Sequence, residues 1–444
     1  MNAIGRLGVA ALLAGSAALL TGRHVGADQI PTGWEAHNMK AIGYSELDGR
    51  GGAFKMAIKE ANGRWYLYLG HLWHRGWSIV EVTDPANPKL VKFIPGPDNT
   101  FTIQVDLHDN LMLTAVQRII PGWTDDPKKP FEEGVLLWDI SDPVNPRQLA
   151  HWKTGGGGTH RNSYPGGQYA YLAAGMPGFR GNILVILDVS DPRNPKEAGR
   201  WWMPGQKEGE TVTGPPPAFH GPAVISEDGN TAYVGYAPAA VILDISDKSS
   251  PKLIGRLDFS PPFIAAGSQA IHSALKIPGK PLLFAASEAS AEDCRDVLNH
   301  TSLIDIKDPA KPRLASVFPI PVPAKGQPYT DFCDKGGRFG PHNINHHWHS
   351  PDVEKTTDQI YLTYFNAGLR VYNIANPRLP KEVAWFIPPQ PTKRVGPIPT
   401  GKLVTQTEDV LVDRRGNIYV TDKQWGLWVV RQTNRPASTP SQAQ

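Results

Sequence analysis

Four histidines stand at comparable places along the chain, each shortly before a turn. They are His160, His220, His272 and His342. The first three precede turns that contain Gly167, Gly229 and Gly279. Neutral imidazole nitrogens are ligands that Fe(II), Cu and Zn accept readily. If the fold brings these positions together, the sequence predicts a transition-metal centre containing Fe, Cu or Zn, and it indicates no residues for any other cofactor.

Glu408 occupies the equivalent position near the C-terminus. Its carboxylate is predicted to be catalytic, as a proton acceptor, or else to be a further ligand or the support of an imidazole N–H. The alternative is that these polar side chains only form a hydrogen-bonded plug. His346, His347 and His349 follow His342 closely, but a flexible loop could display them equally well, which makes them weaker candidates.

A repeated segment would position these residues. Each copy has an alternating apolar strand, an Asp or Asn, and a proline four residues after it. The copies are 78–93, 135–152, 183–202, 240–257, 302–318 and 369–386, and their turn residues are Asp84, Asp142, Asp191, Asp247, Asp308 and Asn376. We interpret these side chains as turn formers that accept backbone N–H groups, rather than as catalytic groups.

Each copy can be divided into four short strands, as in 160–164, 168–175, 183–190 and 197–203. Repeated four-stranded units bury their apolar faces by stacking around an axis, which predicts an all-β fold, a β-propeller of four-stranded antiparallel blades. The length suits seven blades in a single domain over 28–444, with a core of about 34–433 and a short disordered tail, 434–444. A strand near 39–47 is expected to complete the last blade and close the ring, which leaves no exposed sheet edge.

The two faces of such a propeller would differ. One, the turn face, carries the Asp-Pro turns and the turns between first and second strands. The other, the loop face, carries the long, mutually different links 117–134, 204–219, 288–300, 319–341 and 387–406. The four histidines begin innermost strands beside the axis on the loop face. Long loops on a rigid scaffold commonly carry function, so we expect the site there.

The repeated pattern Val/Ile-Asp-Ile/Val-Ser-Asp-Pro-x-Asn-Pro resembles that of the LVIVD-repeat proteins, which are exported bacterial β-propellers. The resemblance covers most of 50–433 and implies the fold, but little about activity. The Asp-Ile-Ser-Asp-Pro turns are also similar to one turn of the selenium-binding and methanethiol oxidase family, a copper-dependent propeller. The Cys-rich motif of that family's animal members is absent from this sequence.

The N-terminus resembles a secretory leader. Arg6 precedes the uncharged apolar run 7–20, and small residues follow at 25–27. This predicts a signal peptide over 1–27 and a periplasmic or secreted protein. The apolar run is too short to span a bilayer, and no membrane span is expected elsewhere.

Cys294 and Cys333 are the two cysteines of the chain. In an oxidising compartment they are expected to form one disulfide, and a metal-binding or redox thiol is the alternative. The 45 Lys and Arg balance 42 Asp and Glu without any basic block, which argues against a nucleic-acid partner.

Two functions remain open. The first is a metal-dependent enzyme that oxidises or hydrolyses a small organic substrate. The second is a non-enzymatic scaffold of the cell envelope that binds a protein or glycan through loops around Trp123, Phe219 and Trp425. The sequence contains no Gly-x-Ser-x-Gly elbow, P-loop or His-Glu-x-x-His motif.

Overall fold

A computed structural model describes residues 28–212, 217–259, 269–296 and 299–435. The predicted signal peptide and residues 436–444 of the predicted tail lie outside these ranges. Within them the chain is almost entirely strand and loop, with one short helix, α1 (Phe332–Lys335). No helix of the described part has the length and apolar character that crossing a membrane requires.

The strands of the N-terminal half are short. They are β1 (Glu35–His37), β2 (Met39–Ser45), β3 (Ala53–Ala61), β4 (Arg64–His71), β5 (Gly76–Glu81), β6 (Lys89–Pro95), β7 (Thr100–Phe101), β8 (Asp106–His108), β9 (Leu111–Arg118), β10 (Gly134–Asp139), β11 (Arg147–Trp152), β12 (Gly158–Ser163), β13 (Tyr169–Gly175), β14 (Ile183–Asp188) and β15 (Lys196–Trp201).

The C-terminal half continues in the same way. Its strands are β16 (Val224–Ile225), β17 (Thr231–Tyr236), β18 (Ala239–Asp244), β19 (Lys252–Asp258), β20 (Gln269–Lys276), β21 (Leu282–Glu288), β22 (Thr301–Asp305), β23 (Arg313–Val317), β24 (Gln359–Thr363), β25 (Leu369–Asn373), β26 (Lys381–Ile387), β27 (Thr407–Val412), β28 (Ile418–Asp422) and β29 (Gly426–Gln432).

Consecutive strands pair antiparallel into sheets of four. Three sheets contain the runs β3 to β6, β16 to β19 and β20 to β23. A nine-stranded sheet joins β7–β11 to β12–β15 through a single contact of Gly158 with Gln117. The predicted all-β fold of four-stranded antiparallel units is therefore present.

Both ends of the chain meet in one sheet. Strand β2 pairs with β29, from Met39 opposite Gln432 to Ser45 opposite Leu427, and thereby completes the sheet of β27, β28 and β29. The sequence predicted this strand within 39–47. Strand β1 pairs with β26 at the outer edge of the preceding sheet, which was not expected.

Central strands are apolar on both faces because both faces are covered by neighbouring sheets. In β14 the residues from Ile183 to Leu187 are all fully buried. Leu184 and Ile186 belong to the hydrophobic cluster shared with the following sheet, whereas Ile183 and Val185 belong to the cluster shared with the preceding one. Sheet-to-sheet burial of this kind is the main stabilising contribution of the fold.

The six repeated turns have one hydrogen bond in common. The side-chain oxygen of each turn residue accepts the backbone N–H two residues later, at 3.0 Å for Asp84 and 3.1 Å for Asp142, Asp308 and Asn376. Asp191 and Asp247 make the same contact. The interpretation of these residues as turn formers is confirmed.

The two cysteines form the expected disulfide. The Cα atoms of Cys294 and Cys333 lie 5.5 Å apart, so that the link between β21 and β22 is tied to α1. The Asp331 side chain caps this helix by accepting the Asp334 N–H at 2.8 Å. The bridge therefore secures two neighbouring segments of the loop face.

Replacing both cysteines, Cys294→Ala with Cys333→Ala, should lower the free energy of unfolding by about 3–4 kcal/mol, because the bridge spans 39 residues of chain. Urea unfolding of the oxidised wild type and of the double variant measures the difference. Reductant should destabilise the wild type by a similar amount and leave the variant unchanged; equal midpoints for all samples would contradict the expectation.

Candidate metal centre

The structure brings all four predicted histidines together. Successive ring centroids, from His160 through His220 and His272 to His342, are 4.2, 4.9 and 5.2 Å apart. The Nε2 atoms of His160 and His220 are 3.0 Å apart. Residues far apart in sequence thus form one cluster, which we call the axial histidine cluster. Metal binding by this cluster stays a prediction.

Bulges in the innermost strands position several of these side chains. The pairing of β12 with β13 shifts register between Thr159 and Arg161, which is where His160 lies. The pairing of β20 with β21 shifts between Gln269 and Ser273, around His272. A β-bulge re-aims a side chain that regular pleating would point elsewhere. The imidazoles can therefore turn towards a common point.

Gly221 allows the close approach of two of the segments involved. A Cβ atom at this position would lie 2.0 Å from the backbone oxygen of His272. No side chain can occupy that space without moving the backbone that carries His272. The glycine that follows His220 is thus required for the spacing between the two imidazoles.

Glu288 lies at the centre of the cluster, and sequence reasoning missed it. Its Oε2 atom is 3.4 Å from His220 Nε2 and 3.6 Å from His272 Nε2, and its Oε1 atom is 3.7 Å from His342 Nε2. Glu288 ends β21, the second strand of its unit, whereas the predicted site residues begin innermost strands. The available signal was an acid at the end of the otherwise uncharged strand Leu282–Glu288.

Three of the rings are held through their Nδ1 atoms. His342 Nδ1 is 3.0 Å from Glu408 Oε2, and His272 Nδ1 is 2.8 Å from Ser273 Oγ. His160 Nδ1 lies 2.9 Å from the Gln117 side-chain amide, whose oxygen accepts N–H when the amide is rotated. Partners of this kind can hold the proton on Nδ1, which leaves the lone pair on Nε2, the nitrogen that a metal would bind.

Glu408 lies behind His342 rather than beside the other rings. Its second oxygen pairs with Lys423, and both side chains are almost completely buried. The structure therefore places Glu408 where an imidazole support would stand, which is one of the roles expected from the sequence. The catalytic role stays a prediction.

Burial keeps the imidazoles in their neutral form. It lowers the pKa of His160, His272 and His342 well below the ordinary value, and it lowers the pKa of His220 as well. The Arg161 guanidinium contributes to each of these shifts by repelling a second positive charge. Neutral imidazole is the form that binds metals.

Arg161 lies against the cluster and competes for one lone pair. Its Nη2 donates to His272 Nε2 at 3.0 Å, and its Nη1 donates to Asn343 Oδ1 at 3.0 Å. Coordination by His272 therefore requires the guanidinium to shift. The Nε2 atoms of His220 and His272 lie 3.4 and 3.6 Å from the same Glu288 oxygen, close to the spacing of about 3.3 Å between ligand atoms in a tetrahedral site.

A cavity of about 270 Å³ adjoins the axial histidine cluster. Phe54, Phe101 and Trp123 line its apolar side, and its polar side contains Arg338 and Lys423 together with the carboxylates of Glu288 and Glu408. The Arg338 guanidinium is 5.3 Å from the Trp123 ring centroid and 3.6 Å from Glu288 Oε1. The cavity can therefore accept a small molecule with an apolar body and a polar group.

Three further polar residues lie outside this cluster. Lys55 pairs with Asp409 at 2.7 Å in a fully buried contact. His71 contacts Ser78 Oγ at 2.8 Å, and His74 contacts the Gly51 carbonyl at 3.2 Å. The suggested recognition residue Phe219 is fully buried and stacks on Tyr236, so it cannot contact a partner.

Sheets of four antiparallel strands around a polar axis define the β-propeller class. The chain contains LVIVD repeats, which match the family model over residues 166–202 and 224–258. Among curated proteins, none matches the chain in sequence.

Solved structures with the same fold are distant in sequence. A hypothetical selenium-binding protein from Sulfolobus tokodaii has a TM-score of 0.52 and 13% identity, over 81% of this chain and 83% of its own. The periplasmic gluconolactonase of Pseudomonas aeruginosa has a TM-score of 0.51 and 10% identity, over 91% and 98%. A streptogramin B lyase has a TM-score of 0.50 and 10% identity, over 89% and 97%. These similarities establish the propeller fold alone.

The buried His71 should make folding sensitive to acid. Burial lowers its pKa to about 3, whereas the unfolded chain titrates near 6.5. The stability it contributes is complete above about pH 6.5 and is lost as the pH falls towards 3, by up to about 1.4 kcal/mol per pH unit. In His71→Asn, the free energy of unfolding should fall less steeply between about pH 6 and pH 4. His37→Asn, at an exposed position, is the control, and equal slopes in all three proteins would refute the assignment.

Proposed function

We propose that this protein is an exported seven-bladed β-propeller, periplasmic or secreted, and that it is a metal-dependent enzyme for a small organic substrate. The observation that carries the proposal is a cluster of four neutral imidazoles, three of which face Glu288 and three of which are held through Nδ1. The Nε2 atoms of His220, His272 and His342 lie 3.4–3.7 Å from the Glu288 carboxylate, which is longer than a good hydrogen bond and leaves room for an ion between them.

The seven blades are the units begun by β3, β8, β12, β16 and β20, the unit of β24–β26 with β1, and the unit of β27–β29 with β2. Hydrophobic clusters shared between neighbouring units support a closed ring. Leu427 and Val429 of the last unit belong to the same cluster as Leu67 and Val80 of the first. The pairing of β2 with β29 would then lock the ring by joining both ends of the chain.

A bound Zn, Fe or Cu ion would supply Lewis acidity to a substrate carbonyl or a water molecule, and Fe or Cu would add redox chemistry. Glu288 would be close enough to this water molecule or substrate to accept a proton from it, through the carboxylate oxygen that faces His220. Arg338 would hold an anionic group of the substrate, and the aromatic wall would exclude water from its apolar part. We therefore propose a small organic anion as the substrate class.

Export rests on the leader-like segment 1–27, which ends before the described residues. A propeller of similar structure is a periplasmic gluconolactonase, which fits the proposed compartment. The alternative is a non-enzymatic envelope scaffold that binds a protein or glycan. It becomes the better account if the axial histidine cluster binds no metal.

Elemental analysis of protein purified without chelator tests the metal directly. The wild type should carry transition metal at the axial histidine cluster, and His220→Ala should lose about one equivalent per chain, because it removes the imidazole nearest to both His160 and Glu288. His37→Ala should retain the wild-type content. Equal metal content in wild type and His220→Ala would refute the centre.

Glu408→Gln should weaken metal binding without abolishing it. The amide keeps the shape and can still accept from His342 Nδ1, but it loses the charge that raises imidazole basicity, so affinity should fall about 10–100-fold. Competition with a chromophoric chelator measures the affinity, and thermal unfolding checks that the variant is folded. Unchanged affinity in a folded variant would show that Glu408 does not act through His342.

A further inference from the structure

A second group of imidazoles gathers around a carboxylate elsewhere on the axis. His347 Nδ1 lies 3.0 Å and His349 Nε2 lies 3.3 Å from the same oxygen of Asp106. The ligand atoms of the three residues all lie within 4.8 Å of one another. In a tetrahedral metal site with bonds of 2.0–2.1 Å, ligand atoms are about 3.3 Å apart. The spacing already resembles that of a metal site.

This group lies towards the turn face, away from the axial histidine cluster. Asp106 and His349 line a cavity of about 760 Å³ whose other walls include the first turns at Asp228 and Gly279. Two charged contacts occupy the axis beside it: Lys55 with Asp409, and Arg161 with Asn343. Lys55 also reaches His346 Nδ1, at 3.3 Å. The two groups of histidines are thus separate sites.

The carboxylate is held in place before any ligand arrives. Asp106 Oδ2 accepts the Tyr164 N–H at 2.8 Å, and Oδ1 accepts the Leu107 N–H at 2.8 Å. The side chain is only 3% exposed. A buried carboxylate fixed by two backbone donors is oriented in the way that metal ligands usually are.

The histidines are held by a tight turn, contrary to the expectation of a flexible display loop. The Ser350 N–H donates to the His347 carbonyl at 3.0 Å, and the intervening Trp348 is buried. The His347 side chain is 4% exposed, and its Nε2 atom has no hydrogen-bond partner within the described ranges. His349 is 19% exposed and borders the cavity, so one side of the group is open.

We propose that Asp106, His347 and His349 form a second metal site, which binds a divalent transition metal such as Zn²⁺ or Fe²⁺. Two imidazoles and one carboxylate leave coordination positions open, as in catalytic zinc sites and non-haem iron sites. The open positions face the turn-face cavity, where water or a small ligand would complete the shell. This inference does not depend on the axial histidine cluster.

Metal stoichiometry of the full mature chain tests the site. Protein stripped with a chelator is titrated with Zn²⁺, and Co²⁺ absorbance then reports the ligand geometry. Wild type should bind two equivalents, and His349→Ala and His220→Ala should each bind one. His349→Ala removes the most exposed of the three ligands and is therefore the least disruptive choice. His347→Gln is the second variant. His37→Ala is the matched control. Thermal unfolding establishes that each variant is folded.

The outcomes separate the two sites. If folded His349→Ala and His347→Gln bind as much metal as wild type, the second site is wrong. If wild type binds a single equivalent that only His220→Ala loses, the second site is wrong and the axial centre stands. If that equivalent is lost only in His349→Ala and His347→Gln, the second site stands and the axial centre is wrong. No binding to wild type would overturn both.

Discussion

Face-to-face packing of the sheets is the constraint on which the rest of the molecule depends. Because neighbouring sheets cover both faces of the central strands, strands such as β14 are apolar throughout, and few polar side chains can lie between the sheets. The innermost edges facing the axis are where polar groups collect. The strand register shifts at His160, His272 and Glu408, so the irregular pairings coincide with residues of the candidate metal centre.

Sequence reasoning succeeds where structure is local and repeated. Asp84 and its equivalents recur because each turn needs the same side-chain acceptor, and the register of His160, His220 and His272 follows from the repeat. Strand β2 could be expected because an unpaired last sheet would expose an edge. Such features depend on one unit at a time, and a single sequence contains enough information to predict them.

Sequence reasoning did not predict the features that several units create together. Glu288 ends a second strand, and nothing in its neighbourhood indicates that three imidazoles from other units approach it. Asp106 begins β8 and meets His347 and His349, which are about 240 residues away in the chain. His347 is only a weaker candidate at the level of sequence, because sequence does not report the buried turn around Trp348. These contacts depend on the closure of the sheets around an axis, which no local pattern encodes.

The charges on the axis constrain what the sites can hold. Three buried or nearly buried carboxylates near the axis, those of Glu288, Glu408 and Asp409, pair with the cations Arg338, Lys423 and Lys55. The set is already balanced without a metal, and buried charges are tolerated only when they are compensated. A divalent ion bound to neutral imidazoles would therefore leave an excess of positive charge in a poorly solvated space. That excess favours an anion on the open side of the metal, either hydroxide formed by loss of a proton from bound water or the carboxylate of a substrate. An anionic substrate would therefore fit a metal-loaded axial site better than a neutral or cationic one.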